Sequence, residues 1–173
     1  MGHKGEAARA FVVMGVSGCG KSTVGQVLAQ RLGCPFYDGD DFHPAENVAK
    51  MSQGIPLNDD DREPWLNRLA DLIEEHLLRG ETAVIACSAL KEKYRKRLKR
   101  GQENVVFVYL RGNFDLIWQR MQQREGHYMK AEMLQSQFDV LEEPDPDTAV
   151  VVNIAPDIDS IVSEILTGHR SLF

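Results

Sequence analysis

The sequence predicts an α/β fold, in which a five-stranded, mostly parallel sheet carries helices on both faces. Short β-rich runs alternate along the chain with longer amphipathic segments, an order typical of strand-helix-strand units joined by right-handed crossovers. The short runs hardly alternate between apolar and polar residues, which indicates strands buried on both faces. The longer segments place apolar residues at helical spacing, as Trp65, Leu69 and Ile73 do. This stripe is therefore expected in the core and not at a cofactor.

These patterns predict each element in turn. Strands are predicted at residues 10–14, 35–37, 82–86, 104–110 and 149–153. Helices are predicted at residues 21–32, 64–78, 90–100, 114–124, 130–141 and 158–166. The 173 residues suffice for one sizeable core, and neither a repeat nor a linker divides them. We therefore expect a single domain that spans residues 1–173.

Composition narrows the classes of partner. The formal net charge of -6 argues against binding to nucleic acid or to an anionic membrane, because both call for a basic surface. The three cysteines have the spacing of neither a disulfide framework nor a zinc finger, which favours a reducing compartment. No apolar run reaches the roughly 18 residues of a membrane span, and the N-terminus lacks the apolar stretch of a signal peptide. The sequence thus predicts a cytoplasmic protein that binds small molecules.

The first predicted strand runs into a phosphate-binding motif, because Gly15, Gly20, Lys21 and Ser22 fit the pattern G-x-x-x-x-G-K-[ST]. Glycines allow a tight turn that aims backbone N–H groups inward, the following helix adds its positive end, and the lysine reaches the β- and γ-phosphates. The Ser22 hydroxyl is expected to bind Mg²⁺. The motif predicts a nucleotide site that consists of Gly15, Val16, Ser17, Gly18, Cys19, Gly20, Lys21, Ser22 and Thr23.

Two carboxylates follow the second predicted strand, in the segment FYDGDDFHP. The carboxyl ends of parallel strands share one edge of the sheet, so Asp38 and Asp40 should face the same crevice as the phosphate loop. Phosphoryl transfer needs one carboxylate for the metal and another to orient an attacking hydroxyl or take its proton. Asp38 suits the first role and Asp40 the second. The alternative is that these residues only form a turn.

The third predicted strand ends in ACSALKEKYR. Ser88 suits the N-cap of the next helix, whose free N–H groups can bind an anion. Lys91 would then lie in the first turn, where a cation opposes the helix dipole and a bound carboxylate would relieve the conflict. Arg95 could lean into the crevice. The alternatives are that Lys91 points into solvent and that Arg95 belongs to a solvated basic face.

The fourth predicted strand leads to Arg120 and Arg124, which are four residues apart and share a helix face. On a mobile segment these arginines could close over the phosphates and neutralise charge in the transition state. Ordinary surface arginines are the alternative, and His127 beside a glycine could be a turn residue only. The adenine is expected between the Arg120 segment and the loop NIAPDID that follows the last strand.

Together, MGVSGCGKST, FYDGDDFHP, GIPLNDDDREPW, ACSALKEKYR, REGHYM and QSQFDVLEEP closely resemble the P-loop gluconokinases, which are related to shikimate kinase and adenylate kinase. The resemblance runs in order through residues 11–152. It implies the P-loop kinase fold with an acceptor-binding region at about residues 40–66 and a mobile lid at about 120–135. It also implies ATP-dependent phosphorylation of D-gluconate on its 6-hydroxyl, with Mg²⁺, by a homodimer.

The resemblance assigns roles to individual residues. Arg62 of the DDDR motif is placed to meet the acceptor, and a guanidinium can grip a carboxylate through two hydrogen bonds. Asp61 or Asp60 would hold hydroxyls, although Asp61 could instead cap a helix that begins near Pro64. Asp59 is expected to be solvated. The predicted catalytic residues are Lys21, Asp40, Arg120 and Arg124, and the predicted substrate residues are Asp40, His43, Asp61, Arg62, Ser88, Lys91, Arg95 and His127.

Two departures and two alternatives accompany this assignment. The third strand ends without the metal-binding aspartate common in nucleotide hydrolases, so that role moves to Asp38. Cys19 stands where serine is more usual, and activity should survive because its backbone N–H is the binding group, although oxidation or alkylation could block the site. A shikimate or nucleoside monophosphate kinase is one alternative function. A nucleotide-binding module that transfers no phosphate is the other.

Overall fold

A computed structural model describes residues 7–123 and 131–172 of the chain. Its sheet contains five strands in the order β2-β3-β1-β4-β5, and every neighbouring pair is parallel. The predicted α/β fold with a five-stranded sheet is therefore confirmed. The strands are β1 (Ala10–Met14), β2 (Phe36–Asp38), β3 (Ala83–Ala86), β4 (Val105–Arg111) and β5 (Val150–Asn153).

Seven α-helices and a short 3-10 helix at Gly39–Phe42 connect the strands within the described residues. None of the helices has the length and hydropathy needed to cross a membrane, among the residues that the structure describes. The helices are α1 (Lys21–Leu32), α2 (Ala45–Ser52), α3 (Asp59–Leu78), α4 (Glu92–Lys99), α5 (Phe114–Gln122), α6 (Ala131–Val140) and α7 (Ile158–Leu172).

Helices cover both faces of the sheet, as predicted. On one face, α1, α5, α6 and α7 bury a cluster that includes Leu28, Val108, Ile117, Leu134 and Ile161. On the other face, α3 and α4 bury a cluster that includes Val12, Trp65, Leu69, Ile85 and Leu98. The helical stripe that begins at Trp65 lies in this second core, so its structural interpretation is correct.

The start of α3 differs from the prediction, which placed it near Pro64. The Asn58 side chain accepts from Asp61 N at 2.8 Å, and the Asp61 carboxylate accepts from Asn58 N at 3.0 Å. This reciprocal capping box begins the helix at Asp59, five residues earlier. The short helix α2 was missed, because it spans only eight residues and its only buried residue is the polar Asn47.

The start of α4 also differs, and the prediction that Ser88 caps it is wrong. Ala89 has a φ of 43°, a left-handed backbone that cannot continue into a helix, so the N-cap is Lys91 and the helix begins at Glu92. The Glu142 carboxylate accepts from Glu92 N at 2.7 Å and takes the place of a local cap. Ser88 and Lys91 therefore lie before the helix and not in its first turn.

The carboxyl ends of β1, β2 and β3 meet at one edge of the sheet. Asp38 at the end of β2 pairs in register with Ala86 at the end of β3. After β1, Gly15 N donates to Ser88 O at 3.3 Å. Gly39 lies so close to β3 that a Cβ atom there would stand 2.4 Å from Ala86 O. These contacts place the phosphate loop, Asp38 and Ser88 around one crevice.

Candidate active site

The phosphate loop connects β1 to α1 and presents backbone N–H groups. Its N-cap residue, Gly20, has a φ of 95° and no side chain to cap the helix. The first helical hydrogen bond runs from Val24 N to Gly20 O at 2.9 Å. The N–H groups of the first turn therefore point out of the helix end, where a phosphate can bind them.

Lys21 lies across this loop, since its Nζ donates to Gly15 O at 2.9 Å and to Val16 O at 3.0 Å. The ammonium group is thus held beside the open helix end by carbonyl oxygens and not by a carboxylate. Cys19 is buried in the loop with 2% of its surface exposed, and burial raises the pKa of its thiol. Both features oppose the oxidation or alkylation that the sequence suggested at this position.

Ser22 and Asp38 meet at the start of α1, where Ser22 Oγ donates to Asp38 Oδ2 at 3.3 Å. Within the described residues, no group of three or more His, Cys, Asp or Glu side chains could hold a metal ion. Mg²⁺ bound with a nucleotide needs only one or two protein ligands, because phosphate oxygens and waters supply the rest. The Ser22 and Asp38 oxygens therefore fit a nucleotide-bound Mg²⁺ and not an all-protein cage.

Asp40 is held beside Asp38, whose Oδ1 accepts from Asp40 N at 3.0 Å. The side chain keeps solvent contact at the mouth of the crevice, yet the surrounding protein desolvates its carboxyl group. This desolvation raises the pKa of Asp40, the charges of Asp38 and Asp41 raise it further, and Lys21 opposes them. A carboxylate with a raised pKa is a better proton acceptor.

Arg62 faces the crevice from the first turns of α3. Its Nη1 donates to the Tyr94 hydroxyl at 3.1 Å, and its guanidinium lies 5.5 Å from the centre of the Tyr94 ring. Within the described residues Arg62 forms no ion pair, so its charge is available to an anionic ligand. Tyr94 was not predicted as a site residue, although it lies in the quoted segment ACSALKEKYR.

His43 is fixed in one tautomer by its neighbours. Its ring stacks on Trp65 at 4.2 Å between centroids and an angle of 13°. Asn47 Nδ2 lies 3.2 Å from His43 Nδ1 and donates to Asp61 O at 2.8 Å. Because an amide nitrogen only donates, His43 Nδ1 accepts and its Nε2 carries the proton. Burial and the nearby Arg62 lower the pKa of His43 to about 4, which keeps the ring neutral at physiological pH.

The Asp61 carboxylate forms hydrogen bonds with other residues of the protein. Besides the capping box, its carboxylate accepts from Lys50 Nζ at 2.8 and 2.9 Å. The Lys50 hydrogen bonds are the main reason that the pKa of Asp61 is lowered. The capping role that the sequence left open is therefore present, at a helix that begins at Asp59. A role in binding the substrate stays a prediction.

Asp59 is exposed, as expected, with 48% of its side-chain surface open to solvent, but it is not without partners. Its carboxylate accepts from Lys93 Nζ and from the Tyr94 hydroxyl, and Lys91 Nζ lies 3.7 Å away. These hydrogen bonds and charges lower the pKa of Asp59 to about 2. Asp59 thus supplies Lys91 with the carboxylate that the sequence analysis expected from a bound ligand.

Arg95 is not in a solvated face, since only 7% of its surface is exposed. Its Nη1 donates to Ala89 O at 2.8 Å and its Nη2 to Glu142 O at 2.7 Å. Burial lowers the pKa of Arg95, and the charges of Glu142 and Glu92 oppose this shift. Arg95 therefore holds the segment around Ala89 in shape, and direct contact with a substrate stays a prediction.

Arg120 connects α5 to the loop after β5, because its Nη2 donates to Ile154 O at 2.9 Å. These are the two segments between which the sequence analysis expected the adenine. Arg124 and His127 lie outside the described residues, together with the rest of residues 124–130 of the predicted lid. Asn47 and Trp65, which contact the His43 ring, were not predicted as site residues. The only signal for them in the sequence was the tryptophan in the motif GIPLNDDDREPW.

The chain is similar to known proteins over most of its length. The family model described as shikimate kinase matches residues 17–151. The thermosensitive gluconokinase of Escherichia coli is 48% identical over 148 residues, which cover 86% of this chain and 79% of that protein. A probable gluconokinase of Mus musculus is 44% identical and covers 93% of this chain and 99% of its own length.

A solved structure is similar as well. The gluconokinase from Sinorhizobium meliloti superimposes with a TM-score of 0.88 at 42% identity, over 96% of this chain and 94% of the other. The chain therefore carries the domain that the shikimate kinase model describes, and it belongs to the gluconokinase family.

Proposed function

We propose that this protein is an ATP-dependent gluconokinase, which phosphorylates D-gluconate on its 6-hydroxyl and releases ADP. The observation that carries the proposal is one crevice with two chemically different ends. One end has the open helix terminus and Lys21. The same end has Asp38 and Asp40 at the end of β2, since Ser22 Oγ contacts Asp38. The other end has Arg62 beside Tyr94. Family membership supplies the identity of the acceptor.

The nucleotide phosphates would lie on the loop from Gly15 to Thr23. The N–H groups at the start of α1 bind phosphate oxygens, and the Lys21 ammonium balances their charge. Arg120 and Arg124 are the proposed partners of the charge that develops on the transferred group. Support for Arg120 comes from its position between α5 and the loop after β5.

Ser22 and Asp38 are the proposed ligands of Mg²⁺, which neutralises phosphate charge and helps to align the transferred group. Asp38 also has a second function, because its other oxygen holds Asp40 N. One carboxylate thereby sets the distance between the nucleotide end of the crevice and the proposed base. This sharing explains how two acids two residues apart can take separate roles.

Asp40 would accept the proton of the 6-hydroxyl as that oxygen attacks the γ-phosphate. Its raised pKa suits this role, because a weak base with a low pKa would hold the proton poorly. Most of the acceleration would come from positioning and electrostatics, since phosphoryl transfer requires little covalent chemistry from the protein.

Gluconate carries one carboxylate and five hydroxyls, and the acceptor end offers groups for both. Arg62 would bind the carboxylate, supported by the absence of an ion pair at its guanidinium within the described residues. His43 Nε2–H is a donor of fixed direction for a hydroxyl oxygen. Asp61, Ser88, Lys91 and Arg95 complete the proposed acceptor residues, together with His127.

The test is ATP consumption with Mg²⁺, followed by ADP detection, across D-gluconate, other aldonic acids, shikimate and nucleoside monophosphates. Turnover with gluconate well above the other acceptors is the expected result, and chelation of Mg²⁺ should abolish it. Turnover with another acceptor would overturn the acceptor assignment. Binding of ATP without any phosphorylation would instead favour a nucleotide-binding module.

We also propose that the protein is a cytoplasmic homodimer. The support is the family resemblance for the dimer, and the three free cysteines Cys19, Cys34 and Cys87 for a reducing compartment. Light scattering during size-exclusion chromatography measures the oligomeric state, and a mass of one chain would contradict the dimer.

A further inference from the structure

Helix α6 reaches back to the phosphate loop through Gln137. Ser17 N donates to Gln137 Oε1 at 2.7 Å, and Gln137 Nε2 donates to Ser17 Oγ at 2.9 Å. The two residues are 120 positions apart in the chain. The Gln137 amide thus accepts from the backbone of Ser17 and donates to its hydroxyl. These two bonds fix the orientation of both groups of Ser17.

The Gln137 side chain is held in place by the packing of its own helix. Leu134, one turn earlier, is fully buried in the core under α1, α5 and α7. Phe138, the next residue, packs against Phe114 of α5 at 5.9 Å between ring centroids. These apolar contacts place α6 without help from Gln137, so its amide is already aimed at the loop.

A second helix packs against the same turn of the loop. Gly18 lies so close to α5 that a Cβ atom there would stand 2.5 Å from Met121 Cγ and 3.3 Å from Ile117 Cγ2. Met121 and Ile117 are buried, with 5% and 0% of their surfaces exposed. The turn at residues 17–18 is therefore enclosed by α5 on its apolar side and by Gln137 on its polar side.

This contact does not occupy the groups that would bind phosphate. The N–H groups left open by the first turn of α1 belong to residues 20–23, at the other end of the loop. Ser17 N precedes them and would lack a partner if Gln137 were absent. The loop therefore has N–H groups with two different uses. Those of residues 20–23 are open to a ligand, and Ser17 N binds Gln137, which supports the loop.

We propose that Gln137 is a positioning residue for the nucleotide, which keeps the phosphate loop in its binding conformation by fixing Ser17. The inference rests on the proposed function, in that the ligand of the loop is the triphosphate of ATP. A preformed loop binds more tightly because less backbone entropy is lost when the phosphate arrives. Gln137 need not touch the nucleotide to have this effect.

The direct test is the affinity for Mg²⁺-ADP, measured by calorimetry on the full chain. Gln137→Ala and Gln137→Met both remove the two hydrogen bonds, and Gln137→Met keeps the length and helix preference of the side chain. Each should weaken ADP binding by roughly tenfold, as expected for two neutral hydrogen bonds. The KM for gluconate should change by less than about twofold, because Gln137 lies away from the acceptor residues.

Gln135→Ala is the matched control. Gln135 lies on the same helix, is exposed, and donates to Asp139 Oδ1 at 2.9 Å on its own helix surface. This variant should bind ADP as the wild type does. Thermal unfolding separates positioning from folding: Gln137→Met should keep the wild-type Tm without nucleotide and show a smaller rise in Tm when ADP is added.

Two results would overturn the inference. One is unchanged or tighter ADP binding in both Gln137 variants. Unchanged binding would mean that the loop keeps its binding conformation without Gln137, and tighter binding would mean that Gln137 competes with the phosphate for Ser17 N. The other is a full effect of Gln137→Ala in a Ser17→Ala background, because that background has already lost the bond to Ser17 Oγ and should show a reduced effect. ADP affinity needs no acceptor, so a failure of the gluconate assignment would appear separately in the turnover assay.

Discussion

The phosphate end and the acceptor end of the crevice are built in different ways. The phosphate end consists mainly of backbone N–H groups at the start of α1, and Lys21 is held there by the carbonyl oxygens of Gly15 and Val16. The acceptor end consists of side chains from three distant segments, represented by His43, Arg62 and Tyr94. The backbone cradle depends on positions that admit no Cβ atom, such as Gly18, whereas the side-chain network depends on the functional group of each member.

The two ends also differ in the direction in which they shift the pKa of a carboxyl group. At the phosphate end, desolvation and Asp38 raise the pKa of Asp40, so this site favours taking up a proton. At the acceptor end, hydrogen bonds from Lys93 and Tyr94 lower the pKa of Asp59 to about 2, so this site favours a negative charge. Asp59 thereby occupies Lys91 and Lys93, so the cation at this end that has no carboxylate partner within the described residues is Arg62.

The largest expected effect is at Asp40. Asp40→Asn keeps the size of the side chain but cannot accept a proton, so kcat should fall by about 10²–10⁴-fold. ADP affinity should stay within about twofold, because the backbone cradle is unchanged. Steady-state kinetics and calorimetry measure the two quantities.

The neighbouring acid provides the control for this prediction. Asp41→Asn removes an equal charge one residue away and should lower kcat only slightly, through its small effect on the pKa of Asp40. In the wild type, kcat/KM should fall as the pH drops through the raised pKa of Asp40. This acidic decrease should be absent from the pH profile of Asp40→Asn. Equal losses in both variants would contradict a base role for Asp40.

The phosphate end could be predicted from the sequence because its geometry is local. Nine consecutive residues after a buried strand define the loop, and the parallel sheet brings Asp38 to the same edge. The contact between Ser17 and Gln137 could not be predicted, since neither residue signals a partner 120 positions away. Long-range contacts of this kind depend on how α6 packs on the core.

The acceptor end was predicted through motifs, and its details differ for physical reasons. A capping box moved the start of α3 to Asp59, whose exposed carboxylate accepts hydrogen bonds from Lys93 and Tyr94 of α4. The left-handed backbone at Ala89 delayed α4 and removed Ser88 from the cap position. The pair Asn58 and Asp61 is local, so the start of α3 could have been recognised from the sequence. The partners of Asp59 on α4 and the contact of Glu142 with Glu92 N could not, because they join distant segments.

Arg62 offers the sharpest test of the acceptor end. Arg62→Ala should raise the KM for gluconate by about 10- to 100-fold, the usual loss for a charged hydrogen-bonded pair, and leave the KM for ATP nearly unchanged. Arg68→Ala is the matched control on the same helix, since Arg68 Nη1 donates to Phe42 O at 3.1 Å. A similar rise in both variants, or a rise in the KM for ATP, would contradict the assignment.

A smaller effect is expected at Tyr94, whose hydroxyl accepts from Arg62 and donates to Asp59. Tyr94→Phe removes both bonds but keeps the ring beneath the Arg62 guanidinium. The KM for gluconate should therefore rise by about 3- to 10-fold, less than for Arg62→Ala. Tyr109→Phe, which loses a 3.4 Å bond to Glu143 outside the acceptor end, should behave as wild type. An unchanged KM in Tyr94→Phe would mean that the hydroxyl does not orient Arg62.

The smallest expected effect concerns stability and pH at His43. Its pKa is about 4 in the folded protein and 6.5 in the unfolded chain, so between these values only the unfolded state binds the proton. The stabilising contribution is present above pH 6.5 and is lost as the pH falls towards 4. Because the ring is half-exposed, we expect the wild type to lose only about 1 kcal/mol more than His43→Gln between pH 7 and pH 5. Urea unfolding of both proteins at pH 7 and pH 5 measures this difference. The contributions of the other titrating groups cancel, because they are the same in the two proteins. Equal losses in the two proteins would mean that Asn47, Trp65 and Arg62 do not hold His43 neutral, and its Nε2–H would then no longer be a donor of fixed direction for the acceptor.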